Sequence, residues 1–142
     1  MVQATYGHGT HNDFVLVFDE DDKIKFTPEQ IKRICDRKSG VGSDGFIKII
    51  KKDGTWFMDY SNADGSVGEM CGNGIRVMAR YLTDRGYQPS GIYAINTRAG
   101  KKFLAVPEVG DISVNMGQVS QVPGEIAVQA NSNSYRGFNI DV

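Results

Sequence analysis

The residues best suited to chemistry lie where a cysteine meets a glycine-rich helix start. Cys71 directly precedes Gly72, Asn73 and Gly74. The first N–H groups of a helix have no partner within it and carry partial positive charge, so glycines at this point let an anion approach them. Beside such a site the pKa of a thiol can fall and the thiolate becomes available. The arrangement predicts a thiol base or nucleophile beside a carboxylate or phosphate site.

The element that must position this cysteine is a helix. Apolar residues recur at i, i+3, i+4 and i+7 after the glycines, at Ile75, Met78, Ala79 and Leu82. Gly86 follows the last of them and is typical of a helix end. The alternative interpretation of Cys71 is a buried cysteine before a glycine-loosened turn. Burial statistics alone favour that alternative, and both stay open at this point.

Length and charge exclude several classes of protein. The 142 residues suit one domain with an ordinary core. With 16 basic and 17 acidic residues, no net field attracts nucleic acid or an anionic membrane. No signal peptide or long apolar run is present, and Cys35 and Cys71 are too few for a disulfide scaffold. We therefore expect a soluble cytoplasmic protein.

Short strands and two helices alternate along the chain. The first helix is predicted from Thr27 as N-cap, with Pro28 and Gln30 after it, and ends near residues 37–38. Its apolar face includes Cys35, which predicts a packed rather than a reactive thiol. The predicted strands are residues 2–6, 14–18, 46–50, 55–60, 92–97, 102–106, 111–116, 125–130 and 135–141. This pattern predicts an α+β domain with a mainly antiparallel sheet.

Other motifs carry weaker signals. The glycine-rich stretch at 40–45 lacks the residues of a P-loop and the spacing of a dinucleotide site. His8 and His11 with Asp13 are too few for a confident metal site, so we predict none. Arg76 and Arg80 are four residues apart and predict an exposed or ion-paired helix face. No Ser-His-Asp triad is indicated, because neither histidine accompanies a serine nucleophile.

Taken together, the motifs resemble those of the diaminopimelate epimerase family. The matching residues are Asn12-Asp-Phe14, Cys35-Asp-Arg37, Gly40-Val-Gly42, Asp44-Gly45, Asn62-Ala-Asp-Gly-Ser66, Cys71-Gly-Asn-Gly74 and Arg76. Their order and spacing agree along the whole chain, and the stretch at 7–14 looks most like the actinobacterial branch. Two positions depart from the pattern. Gly45 stands where some members have a substrate-binding Gln, and His11 stands where many have Gly.

The resemblance implies a fold of two similar domains, each with a sheet wrapped around a central helix. Residues 1–117 then form the first domain, and 118–142 begin a second domain whose remainder is absent. Each domain of the family supplies one catalytic cysteine; Cys71 matches the first, and Cys35 does not match the second. An epimerase needs a base on each face of the α-carbon, and only one is encoded here, so we expect this polypeptide alone to be inactive. The missing half is its expected partner, and the complete protein could form a homodimer.

The resemblance also implies a mechanism. Family members invert an α-carbon of diaminopimelate without pyridoxal phosphate or metal, so no cofactor is expected. Cys71 matches one acid/base, Gly72 and Asn73 match the carboxylate site, and Asn12 and Asn62 match substrate-binding asparagines. Three alternatives remain: a proline racemase-like isomerase, a phenazine-biosynthesis type, and a half-protein that binds an amino acid without turning it over. A reversible disulfide between the two catalytic cysteines is a further hypothesis.

Overall fold

The computed structural model describes residues 1–118, 120–130 and 133–141, with side chains described as far as residue 118. In chain order the elements are β1 (Thr5–Gly9), β2 (Asn12–Phe18), α1 (Pro28–Cys35), β3 (Gly45–Lys52), β4 (Thr55–Asn62), α2 (Gly72–Asp84), β5 (Gly91–Thr97), β6 (Gly100–Val106), β7 (Ser113–Val114), β8 (Ser120–Ala130) and β9 (Asn133–Asp141). Strands β1 to β7 form one sheet, and β8 pairs with β9 in another. The α+β class is confirmed.

The seven strands of the larger sheet lie side by side in the order of the sequence. Neighbours are antiparallel except at β2/β3 and β4/β5, which are parallel. Parallel neighbours need a crossover connection, and α1 and α2 supply one each. The prediction of a mainly antiparallel sheet is confirmed.

The two helices cover opposite faces of the sheet. Along β2, Phe14 and Leu16 pack in the cluster that contains α2, whereas Val15 and Val17 pack in the cluster that contains α1. All four side chains are at most 2 % exposed. A strand buried on both faces needs apolar side chains on both, and this is why residues 14–18 form a continuous apolar run rather than an alternating one.

Helix α2 is the centre of the larger core. Its predicted stripe of Ile75, Met78, Ala79 and Leu82 is fully buried, at 0 % exposure. The helix contacts β1 and β2 at one side of the sheet and β6 and β7 at the other, so the sheet curls around it. Gly86, with φ of 74°, ends the helix as predicted. There the Tyr87 N–H donates to the Leu82 carbonyl at 2.9 Å and the Gly86 N–H donates to the Thr83 carbonyl at 3.0 Å.

The start of α1 is set by local sequence. The Thr27 hydroxyl accepts from the Gln30 N–H at 3.2 Å, and the Gln30 side chain accepts from the Thr27 N–H at 2.8 Å. This reciprocal cap confirms the prediction. The helix ends at Cys35 rather than near residues 37–38, because the Asp36 carboxylate accepts backbone N–H groups beyond it in a turn. Neither described helix combines the length and apolar character needed to cross a membrane.

The first strand lies later in the sequence than predicted. It runs from Thr5 to Gly9, not over residues 2–6, and it pairs with β2 so that Gly9 faces Asn12. The two residues between them, Thr10 and His11, both have positive φ, at 53° and 65°, which is typical of a tight hairpin turn. The glycines at 7 and 9 are therefore strand residues. A second hairpin, with Asp53 and Gly54 at its turn, joins β3 to β4.

Candidate active site

Cys71 lies at the mouth of α2. It is the N-cap residue, with extended backbone (φ −137°, ψ 119°), and its side chain does not cap the helix. The thiol is partly buried and packs at the border of the larger core. No side chain among the described residues caps the first turn, and no acidic residue lies in it. The leading N–H groups of α2 are thus left for another acceptor.

The sheet brings the predicted asparagines to the same end of their strands. Strand β2 begins at Asn12, and antiparallel β4 ends at Asn62. Gly45, which begins β3, pairs with Phe14 on one side and with Asn62 on the other. Chain directions and register therefore place both asparagines at one edge of the fold.

Asn12 and Asn73 form a cluster with Cys71. The Cys71 Sγ lies 3.7 Å from the Asn12 Oδ1. The Asn73 Nδ2 donates to the same oxygen at 3.1 Å. The Asn12 Nδ2 donates to the Asp44 Oδ2 at 2.9 Å. The predicted residues Cys71, Asn12 and Asn73 are therefore in direct contact, with Gly72 between two of them in sequence.

Asn62 belongs to a neighbouring group. Its Oδ1 accepts from the Tyr60 hydroxyl at 2.9 Å, and its Nδ2 donates to the Ser66 Oγ at 3.0 Å. Burial raises the pKa of the Tyr60 hydroxyl, so this hydroxyl stays a donor. Within residues 1–118, the side chain of Asn62 has no hydrogen bond to Cys71 or Asn12. The structure thus places Asn62 beside the cluster without joining the two groups directly.

The glycines of the motif have different reasons for being small. A Cβ on Gly74 would lie 2.9 Å from the Met58 Cε and 3.0 Å from the Ile47 Cδ1. Gly74 is buried and faces the sheet. Its missing side chain lets α2 pack closely against the sheet, and the opening of the helix start to an anion stays a prediction. Only Gly72, where a Cβ would meet Met116 at an ordinary 3.5 Å, is free of such crowding.

This difference gives a stability prediction. Replacing Gly74 with Ala should lower the free energy of unfolding by about 1–2 kcal/mol, because the added methyl overpacks the core. The matched variant Gly72→Ala should change it by less than about 0.5 kcal/mol, because the added methyl makes only an ordinary contact. Urea unfolding of both variants measures the two values. Equal losses would contradict the distinct packing of the two glycines.

Gly45, which stands at the position of the substrate-binding Gln of some family members, is constrained by packing. A Cβ there would lie 2.7 Å from the Tyr60 Cε2, and a Cβ on Gly68 would lie 2.4 Å from the same ring. The lack of a side chain at Gly45 and Gly68 thus leaves room for the ring of Tyr60, whose hydroxyl donates to Asn62. The close approach explains why a larger side chain does not occupy position 45 beside this Tyr60.

An ion-pair network that the sequence analysis gave no role supports Asn12. Arg37 donates to both oxygens of Asp13, at 3.0 and 2.8 Å, and to Asp44 at 2.8 Å. Asp13 also accepts from the Tyr6 hydroxyl at 2.6 Å. The bonded Arg37 guanidinium holds the pKa of Asp13 well below its usual range, against the opposing effect of burial. Asp13, Arg37 and Asp44 belong to the matching motifs, but their contacts depend on the parallel pairing of β2 with β3, which the sequence does not show.

Cys35 is a packed thiol, as predicted. Its side chain is 3 % exposed in the core beneath α1, and the Ser43 Oγ lies 3.3 Å from its sulfur. Burial raises the pKa of the Cys35 thiol, which favours the uncharged form. The two cysteines thus occupy contrasting surroundings, and Cys71 alone of the pair lies beside the asparagines.

The two histidines stack on each other at the tip of the first hairpin, with ring centroids 5.5 Å apart. The carboxylate of Asp13, the third residue of this group, already accepts hydrogen bonds from Arg37 and Tyr6. Within the part of the chain that the structure describes, no group of three or more His, Cys, Asp or Glu side chains could hold a metal ion.

The arginines of α2 contact the backbone. Arg76 donates to the Gly72 carbonyl at 3.1 Å and to the Asn73 Oδ1. Arg80 donates to the carbonyls of Pro107, Glu108 and Gly110 and lies 3.8 Å from Asp84. Of the two arginines on the expected exposed or ion-paired face, Arg80 alone forms an ion pair within the described residues, and its distance of 3.8 Å to Asp84 makes that pair weak. Arg80 instead fastens the segment at residues 107–110 to the helix, whereas Arg76 bonds within the first turn of α2.

A cavity of about 330 Å³ lies away from Cys71, on the side of α1. Its charged lining residues are paired with one another. Lys48, which is 5 % exposed, bonds to Asp22, and Arg98 bonds to Asp59. The bonded Lys48 lowers the pKa of Asp22 to about 2. Because these charges neutralise each other, the cavity is better explained as structural than as the reactive site.

Comparison with known proteins matches the chain to one family. The model of the family described as diaminopimelate epimerase matches residues 4–122. The diaminopimelate epimerase of Streptomyces coelicolor is 37 % identical over 147 residues, covering 96 % of this chain and 51 % of that protein. That of Thermobifida fusca is 40 % identical over 128 residues, covering 80 % and 47 %. The chain spans about half the length of these curated relatives.

Solved structures show the same fold. A hydroxyproline epimerase from Agrobacterium vitis matches with a TM-score of 0.67 at 12 % identity, covering 98 % of this chain and 48 % of that one. A phenazine biosynthesis protein of the PhzF family from Bacillus anthracis matches with a TM-score of 0.57 at 21 % identity, covering 90 % and 42 %. At such identities the likeness shows the fold alone.

Proposed function

Because the chain belongs to the diaminopimelate epimerase family, we propose that its protein interconverts LL- and meso-diaminopimelate by moving protons at one α-carbon. The observation that carries this proposal is the contact of Cys71 with Asn12 at the mouth of α2, inside the matched region. The reaction needs neither pyridoxal phosphate nor metal, because thiols transfer the protons. It supplies a precursor of lysine and peptidoglycan and takes place in the cytoplasm.

Cys71 is one acid/base of the pair. As a thiolate it takes the α-proton, and as a thiol it returns one. The carbanion formed in between carries its negative charge on the substrate carboxylate. The backbone N–H groups of Gly72 and Asn73 stabilise this charge as fixed dipoles. Asn12 and Asn62 hold the substrate through amides that both donate and accept. The uncapped first turn of α2 supports these roles.

The second acid/base must act on the opposite face of the α-carbon. Cys35 is unsuited to this role, because it is buried beneath α1 and bonded to Ser43. We assign the role to a cysteine in a second half of the protein. On this proposal residues 1–117 form one domain and 118–142 begin the next. The pairing of β8 with β9 apart from the larger sheet supports this division. A homodimer of the complete protein remains a prediction.

An isomerase of the proline racemase or phenazine type is the alternative within the same fold. A carboxylate at position 71 would favour the phenazine type, whereas this chain has Cys71 next to Asn12 and Asn73. The substrate that the complete protein converts decides between these alternatives. The contact of Asn12 with the thiol, and the bond from the Asn73 amide to the same Asn12 oxygen, favour the diaminopimelate reaction.

Turnover in D₂O tests the proposal. The 142-residue chain, alone and fused to the C-terminal half of the Streptomyces coelicolor relative, is incubated with LL-diaminopimelate. We expect meso-diaminopimelate with α-deuterium from the fusion and none from the chain alone. Inversion by the isolated chain would contradict the two-half mechanism. A fusion that inverts proline and not diaminopimelate would establish the alternative. Tight calorimetric binding by the chain alone, without turnover by the fusion, would indicate a binding module.

A further inference from the structure

A chain of hydrogen bonds crosses the candidate site and has a charged residue at each end. Arg76 donates to the Asn73 Oδ1, and the Asn73 Nδ2 donates to the Asn12 Oδ1 at 3.1 Å. The Asn12 Nδ2 then donates to the Asp44 Oδ2 at 2.9 Å. Asp44 is itself held by Arg37 through its other oxygen, at 2.8 Å. Every bond in this series runs in the same direction.

The two ends determine that direction. A guanidinium has only donors, so Arg76 requires the oxygen of the Asn73 amide to face it. A carboxylate has only acceptors, so Asp44 requires the nitrogen of the Asn12 amide. The bond between the two amides satisfies both requirements at once. Reversing either amide would set two donors or two acceptors against each other, which leaves partly buried polar groups unpaired.

We propose that Asp44 and Arg76 are positioning residues that together fix the Asn12 amide with its oxygen toward Cys71. This inference deepens the proposed function, because it rests on Cys71 as the reactive thiol. Neither residue touches the sulfur through a hydrogen bond in the described part of the chain. Their effect reaches it through the orientation of Asn12, whose Oδ1 lies 3.7 Å from the Cys71 Sγ.

The orientation has a chemical consequence at the sulfur. An oxygen acceptor can take a hydrogen bond from the thiol but offers nothing to the thiolate. A reversed amide would present N–H to the sulfur and favour the thiolate, which is the form that alkylating agents attack. Tyr60 is a titratable neighbour of this sulfur, the Asp44 carboxylate bonds to Asn12, and the Arg76 guanidinium bonds to Gly72, the residue after Cys71. Tyr60 is unchanged in every variant of the test, so its effect on the sulfur is the same in all of them.

A double-mutant cycle on thiol reactivity tests the proposal. The rate of Cys71 alkylation by iodoacetamide at neutral pH is measured by peptide mass spectrometry in the parent chain, Asp44→Asn, Arg76→Met and the double variant. Each single variant leaves the other end to hold Asn12. Charge alone changes the two single rates in opposite directions, and these effects multiply in the double variant. Only the double variant releases the Asn12 amide from both ends, which adds an effect that neither single variant shows. We therefore expect its relative alkylation rate to exceed the product of the two single relative rates by about threefold or more.

Two controls make the cycle specific to Asn12. In an Asn12→Ala background, the same substitutions should multiply without coupling, because the amide that joins them is gone. The pair Asp36→Asn and Arg33→Met makes the same change of charge on the exposed surface near α1, and it should leave Cys71 reactivity unchanged. The proposal would be overturned if the relative rate of the double variant equalled the product of the single rates when Asn12 is present. It would also be overturned if the excess over that product persisted in the Asn12→Ala background.

A second measurement needs no substitution and applies even if the double variant fails to fold. In the parent chain labelled with ¹³C and ¹⁵N, the coupling across a hydrogen bond should join the Asn12 Nδ2 to the Asp44 Cγ. A coupling from the Asn12 Nδ2 to the Asn73 Cγ would overturn the proposal. Neither readout requires epimerisation. An inactive fusion with an intact coupling would refute only the proposed reaction, and an active fusion without coupling would refute only the amide chain.

Discussion

Replacing Cys71 with Ser should lower the rate of diaminopimelate inversion by the fused two-half enzyme by about 10²–10⁴-fold, the usual contribution of a positioned general acid or base. Serine has nearly the shape of cysteine, so the helix start and its contacts with Asn12 should persist. Its hydroxyl gives up a proton far less readily than a thiol, so the base is lost. The rate of meso-diaminopimelate formation, followed by NMR, measures the effect.

The matched control is Cys35→Ser. This residue undergoes the same change of sulfur to oxygen, but it lies in the core beneath α1 and is 3 % exposed. We expect its inversion rate to stay within about twofold of the parent, with a loss of about 1 kcal/mol in the free energy of unfolding. A comparable fall in activity for both variants would contradict the separate roles assigned to the two cysteines.

The helices could be predicted because their signals are local. The Thr27 cap and the Gly86 stop each depend on hydrogen bonds within a few residues, so the printed sequence contains the whole motif. The first strand was placed wrongly for the opposite reason. Its position depends on a turn in which Thr10 and His11 adopt positive φ, although neither residue is a usual signal for one. Glycines in this strand then favoured a loop over a strand.

The candidate site divides in the same way. The resemblance supplied Cys71, Asn12 and Asn73, and the structure brings these three together. The resemblance did not supply what holds them, because Asp44 and Asn12 are brought together only by the parallel pairing of β2 and β3. The place of Gly74 at a helix start does not show its packing role, because that role depends on which face of α2 meets the sheet. The sequence therefore predicts features set by neighbouring residues, and it does not predict contacts that depend on which strands and helices pack together.

Removing the Asp13 carboxylate should cause the largest loss of stability near the site. Its side chain is 8 % exposed, and it accepts bonds from Arg37, Tyr6 and the Asp44 N–H. Asp13→Ala leaves the Tyr6 hydroxyl without this acceptor. The Asp44 N–H keeps the Asp13 backbone carbonyl at 3.0 Å, and Arg37 keeps Asp44 and is 57 % exposed to water. Because Arg37 is screened by water and Tyr6 is 54 % exposed, the loss falls below that of a fully buried pair, and we expect about 2 kcal/mol at neutral pH by urea unfolding.

The same variant gives a pH dependence of known sign. Because Arg37 holds the native pKa of Asp13 below the value of about 3.9 for an unfolded chain, the carboxylate stabilises the fold above that pH. Its contribution is lost as the pH falls through the native pKa. The difference in unfolding free energy between the parent and Asp13→Ala should therefore be constant from about pH 7 to pH 5 and shrink toward about pH 2. The control Asp21→Ala removes an exposed carboxylate paired with Lys23 and should show no measurable difference at either end. A difference that grows in acid would mean that Asp13 binds its proton more readily when folded, which is incompatible with the guanidinium pair that anchors Asp44 and, through it, Asn12.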